Sequence, residues 1–172
     1  MATLIKEQRI VADSWRLLSR GLSGETPEVP VQGDVIVPLP LWLAHREAFL
    51  AYPGKLGVWL DANEGPDAIA GDLQRFALIA VNFPKFGDGR GYSIARLLRE
   101  RYGYKGELRA IGDVLHDHLH FMKQCGFDAF VLREDQDARE ALSALDTFSE
   151  GYQTSVLRPV PLFRRRLATG KP

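Results

Sequence analysis

The order of apolar and polar positions divides the chain into a short extended beginning, a long repeating middle and a basic end. From residue 34 onward, β-branched or aromatic runs recur: DVIVP (34–38), KLGVWLD (55–61), ALIAVNF (77–83), ELRAI (107–111) and AFVLR (129–133). Each is followed by a longer stretch with helical spacing, which is the signature of consecutive βα units on a mainly parallel sheet. Runs without polar alternation, such as Ala77 to Val81, suit strands covered on both faces. The expected fold class is therefore α/β, with about five βα units in an open sheet or partial barrel, since a complete eight-unit barrel takes about 250 residues.

Three helices follow from the spacing. Over 93–102, Ile94, Leu97, Leu98 and Tyr102 form one stripe, and Gly103 supplies a stop. Over 114–125, Val114, Leu115, Leu119, Phe121, Met122 and Cys125 make a broad apolar face, with Asp113 as N-cap. Over 138–152, Ala138, Ala141, Leu142, Leu145, Phe148 and Tyr152 line up behind Asp135 as cap.

The remainder sets the domain plan. Residues 3–18 read as two extended pieces around a polar turn near Glu7, an edge hairpin within 1–20. The Gly, Pro and Ser of 21–33 read as a linker, 34–152 as the α/β domain, and 153–172 as an arm. Prolines in VLRPVPLFRRRL oppose a regular helix there. The arm is either a loose terminus or a segment that docks on an acidic partner or a sister subunit.

Composition narrows the function classes. The 172 residues are 45% hydrophobic, enough for one core, and contain no apolar run long enough to span a membrane. Lys6, Glu7 and Arg9 stand where a secretory leader needs its apolar centre, so a cytoplasmic location is expected. Lys and Arg balance Asp and Glu at 22 each, which removes the field that nucleic-acid binding depends on. Within that balance, residues 153–172 hold five bases and no acids, leaving 17 bases against 22 acids elsewhere.

Ligands of parallel α/β folds collect beyond the carboxyl ends of the strands. The residues at those ends are Asp61 and Asn63, then Asn82, Lys85, Asp88 and Arg90, then Asp113, then Arg133 and Glu134. The loop with GDGRG at 87–91 is the candidate anion site, with Lys85, Gly89, Arg90, Gly91 and Ser93 as binding residues and Asn82, Asp88 and Arg133 on the rim. The competing reading is a plain strand-to-helix turn in which Arg90 pairs with a carboxylate. Asp61 and Asp113 are the acid/base candidates, and no hydrolytic motif, phosphate-binding loop or dinucleotide fingerprint accompanies them.

His116, His118 and His120 do not converge on a metal. On a helix, His116 and His120 share the polar face while His118 points toward the apolar side, so no metal site is expected. The single Cys125 reads as a buried thiol, and one cysteine cannot make a disulfide or hold an iron–sulfur cluster. No cofactor is encoded by a recognisable motif.

The block NFPKFGDGRGYSIARLLRERYGYKGELRAIGDVLHDHLHFMKQCGFDAF, residues 82–130, resembles a bacterial family of cytosolic proteins described as oxidoreductases involved in sulfite reduction. Similarity extends to residues 9–12 and to WLD at 59–61. The resemblance implies a role in assimilatory sulfur metabolism, with genes beside that of the sulfite reductase hemoprotein, which is then the implied partner. With one cysteine and no cofactor motif, the chain fits that role as an accessory or small-anion-binding protein. The alternative is a small-molecule enzyme acting on an anionic substrate at the sheet's carboxyl rim. A homodimer that covers an exposed sheet edge is also compatible.

Overall fold

The computed structural model describes residues 3–21, 29–145 and 154–169. Strands β1 (Thr3–Lys6) and β2 (Arg9–Val11) form the expected hairpin, turned at Glu7 and Gln8, both with positive φ. Then come β3 (Arg16–Leu17), β4 (Val35–Pro38), helices α1 (Leu39–Ala44) and α2 (Arg46–Leu50), and β5 (Leu56–Leu60). After two 3₁₀ turns follow β6 (Leu78–Phe83), α3 (Arg90–Arg96), β7 (Glu107–Gly112), α4 (His116–Gln124), β8 (Ala129–Leu132), α5 (Ala138–Leu145) and α6 (Leu162–Thr169).

The eight strands form one sheet in the order β2-β1-β8-β7-β6-β5-β4-β3. Strands β3 to β8 run parallel, each beside its sequence neighbour, and β1 joins β8 antiparallel. Consecutive parallel neighbours linked by crossovers of one hand place the helices on one face. On that face Val35, Val37, Val58, Ile79, Val81, Leu108 and Phe130 pack with helical residues such as Ile94, Leu98, Leu119 and Met122. The opposite face carries a smaller cluster, Ile36, Leu78, Ala80 and Ile111, packed by Trp15, Trp59 and Val131 and, among the described residues, by none from a helix.

The sheet is curled into a half-barrel, and its connectivity requires this. Seven gaps of about 4.8 Å make an arc of about 34 Å from β2 to β3. Yet Val11 and Arg16 are joined by a segment, Ala12–Trp15, that reaches at most about 18 Å. The chord is about half the arc, so the two edges bend toward each other. The segment forms a strap across the concave face. Asp13 in it accepts two bonds from Arg109 Nη1, at 2.9 and 3.0 Å, although Arg109 lies on the central strand β7. The N-terminal region is therefore more than a hairpin, because Arg16 and Leu17 extend the opposite edge of the sheet.

Several local expectations change. Asp113 does not cap α4: Leu115 is the N-cap, without a side-chain bond, and Asp113 turns to Arg133 instead. The cap of α5 is Asp137, whose Oδ1 accepts from the amides of Arg139 and Glu140, while Asp135 binds Arg133. Phe121 is 56% exposed rather than on the buried side of α4, and Leu97 is 39% exposed at the margin of its stripe. Helix α3 continues as a π turn, Leu97–Arg101, and ends at Gly103, whose φ of +64° lets Tyr104 N–H reach back to Leu98 O at 2.9 Å. The prolines of the arm precede a helix instead of preventing one, since the amides of Arg164 and Arg165 both bond Pro161 O. Phe148 and Tyr152, and the middle of the 21–33 linker, lie outside the described residues. No helix among the described residues is long and apolar enough to cross a membrane.

Candidate functional site

The carboxyl ends of β5 to β8 bring the predicted rim residues into two groups. At β5 and β6, Asp61 Oδ1 accepts from Asn82 Nδ2 at 2.9 Å and from the amide of Ala62 at 2.9 Å. Glu64 Oε2 accepts from the amide of Asp61 at 2.7 Å. Arg20 closes this group, with Nη2 at 2.7 Å from Glu64 and 3.6 Å from Asp61, and its guanidinium 4.8 Å from the centre of the Trp59 ring. Sequence reading missed Arg20 because it precedes the linker and is brought here only by β3 pairing with β4.

The second group stands at β7 and β8. Arg133 donates from Nη1 to Asp113 at 2.6 Å, and from Nε and Nη2 to Asp135 at 2.6 and 2.7 Å. Hydrogen bonds donated to these two carboxylates raise the Arg133 pKa, and the same contact lowers that of Asp135 to about 2. Asp113, one acid/base candidate, is thus tied to a cation, whereas Asp61 faces an amide.

Between the groups lies the loop after β6. Lys85, Gly87 and Gly89 are exposed, and Asp88 is half-buried. Asp88 Oδ1 accepts from the amide of Arg90 at 3.2 Å and from Arg90 Nε at 2.9 Å, and Oδ2 from Arg90 Nη2 at 2.6 Å. The loop therefore already holds an anion: the carboxylate of Asp88, on a backbone amide and a guanidinium fork. Those bonds, helped by the charge of Lys85, lower the Asp88 pKa to about 2. Asp61 adds to the negative field on Arg90.

The glycines of this loop have separate roles. Gly89 is the N-cap of α3, and a Cβ there would meet only Tyr92 at 3.9 Å. Gly91 is buried against Phe83, where a Cβ would stand 2.6 Å from the ring, so it sets the approach of α3 to β6 and does not face the rim. Ser93 is exposed on the outer side of α3.

His118 stacks on Phe86 at 4.5 Å between ring centres, and burial lowers its pKa. His116 Nδ1 lies 2.9 Å from Gln136 Oε1. Cys125 is buried, and burial is the main cause that pushes its thiol up to about 11.

No curated protein matches this chain. A family profile matches residues 57–163, from β5 to the start of α6, and so includes the carboxyl rim and the loop at 84–89. The chain belongs to that family, the bacterial proteins of unknown function grouped as DUF934.

Proposed function

We propose that the protein is an anion-binding accessory of assimilatory sulfite reduction, working beside a sulfite reductase, with its anion received at the rim by Lys85 and Arg90. The observation that carries the reading is the Asp88 carboxylate on the Arg90 fork and amide. A group of that charge and shape is what sulfite or sulfate would replace. Arg90 is 59% exposed, and exposed ion pairs are weak, so exchange of Asp88 for a solute anion is energetically accessible. Lys85 has no ion-pair partner among the described residues and adds a second charge beside the loop. The resemblance of residues 82–130 supplies the pathway.

Calorimetry with sodium sulfite tests the site. Asp88→Asn frees the fork and should tighten binding, and Arg90→Ala should abolish it. Equal affinity in wild type and Arg90→Ala would sink the site, and normal growth of a deletion strain on sulfate as sole sulfur source would sink the pathway role. The second reading, an enzyme on an anionic substrate, is favoured by one observation: Asp61 is oriented by Asn82 at the rim and is not locked to a close cation as Asp113 is.

A further inference from the structure

The concave face of the half-barrel holds a cavity of about 390 Å³ beside the strap. That volume lies within the range of small-molecule sites, about 300–1,000 Å³. Leu17 and Ile36 wall one side, Ile111 and Val131 the other, and Trp59 lies between them. Helices α1 to α5 pack on the other face of the sheet, so they do not fill this space.

Charge and shape narrow what fits. The cation lining this cavity, Arg109, is 1% exposed and fully engaged: Nη1 on Asp13, Nε and Nη2 on Glu107 Oε1 at 2.7 Å. Arg20, which lies over one face of Trp59, is held by Glu64 at 2.7 Å. An entering anion would find the Arg109 guanidinium taken and two carboxylates around it. An entering cation would have to compete with Arg109 for the same carboxylates. An uncharged ligand meets neither cost.

Trp59 is a fixed platform, because its Nε1 donates to Leu18 O at 2.9 Å and so sets the plane of the ring. Aromatic platforms of fixed plane favour stacked planar partners. At the carboxyl end, Asn82 is held through one N–H of Nδ2 by Asp61, which leaves Oδ1 as an acceptor and the second N–H as a donor. We infer that this cavity binds an uncharged planar ring with one hydrogen-bonding edge, stacked on the face of Trp59 opposite Arg20 with that edge at Asn82. Neither Lys85 nor Arg90 lines this cavity, although Asn82 stands at the boundary between it and the rim.

The test uses 2-naphthol as probe and the backbone and indole N–H signals of the ¹⁵N-labelled full chain. The Trp59 indole and Asn82 signals should move saturably, while the indole of Trp42, buried on the helical side, stays in place. Val131→Phe fills the cavity and should weaken binding at least tenfold with the other signals unchanged. Ile36→Phe, on the opposite wall, serves if Val131→Phe does not fold. Unmoved Trp59 signals, undiminished binding by the filled variant, or cyclohexanol binding as tightly as 2-naphthol would each overturn the proposal. Sodium sulfite separates the two sites: shifts at Lys85 and Arg90 alone would leave the anion reading standing, whatever the naphthol result.

Discussion

Replacing Arg109 by methionine tests the strap and the half-barrel together. Arg109 is 1% exposed, and its partners are Glu107, 9% exposed in its side chain, and Asp13, 26% exposed. Methionine keeps much of the volume but leaves Glu107 and Asp13 without their shared cation. Removing one partner of a buried ion pair typically costs about 3–5 kcal/mol, because the remaining charge is stranded. For a chain of this length each kcal/mol moves Tm by about 2–4 °C, so the expected fall is about 6–20 °C, read by circular dichroism. Lys6, at 2.7 Å from Glu107, moderates the loss at one end, whereas the strap loses its ionic anchor at the other. The triple variant Arg109→Met, Glu107→Gln, Asp13→Asn should recover most of the stability, since an uncharged replacement strands nothing. The reasoning fails if Arg109→Met alone lies within about 1 kcal/mol of wild type, which is the scale of an exposed pair.

Three further outcomes are expected. Gly91→Ala places a methyl 2.6 Å from the Phe83 ring and should destabilise the protein by about 1–3 kcal/mol in urea unfolding, whereas Gly89→Ala, open to solvent, should cost less; equal losses would contradict the packing role of Gly91. Cys125, buried and with its pKa near 11, should resist a thiol reagent at pH 8 until the chain is unfolded. Its folded pKa is raised, so its contribution to stability is complete below the ordinary value of 9.0 and fades as pH climbs toward 11; rapid native labelling would contradict this. For Asp88 the shift runs the other way, from 3.8 to about 2, so its contribution is present above pH 3.8 and lost as pH falls toward 2. Carboxyl NMR titration should find that low value and see it return to the ordinary range in Arg90→Ala, and no change in that variant would refute the assignment of cause.

The strands were legible because their cause is local. Five β-branched or aromatic runs became β4 to β8 with ends displaced by at most one residue, and Gly103 ended its helix as expected. What escaped depends on distant residues. Arg109 in ELRAI carries no sign of burial, because its partner Asp13 is 96 positions away and meets it only when the sheet curls. The curl itself follows from comparing an arc with a chord, and the chord is visible only once β3 is known to pair β4. The α4 and α5 caps failed for a related reason: Arg133 draws Asp113 and Asp135 to itself, and Asp137 takes the capping position. At the rim, the competing reading in which Arg90 pairs with a carboxylate is the arrangement found, with Asp88 as the partner, whereas the pairing of Arg133 with Asp113 and Asp135 was not legible. Whether Arg90 meets a solute or Asp88 is decided by loop torsions that a glycine-rich sequence leaves open.

The strap also imposes an order on folding. Strands β4 to β7 can pair with their neighbours as each emerges during synthesis, but the first hairpin made, β1–β2, has its other partner in β8 near the end of the domain. Closing a loop of that length is costly before contacts reward it, so the hairpin must wait with an open edge. Seating β1 on β8 is what holds the strap across the concave face with Asp13 against Arg109. The inner cavity therefore takes shape only on a chain synthesised through residue 132, which makes sheet closure a built-in check on completeness.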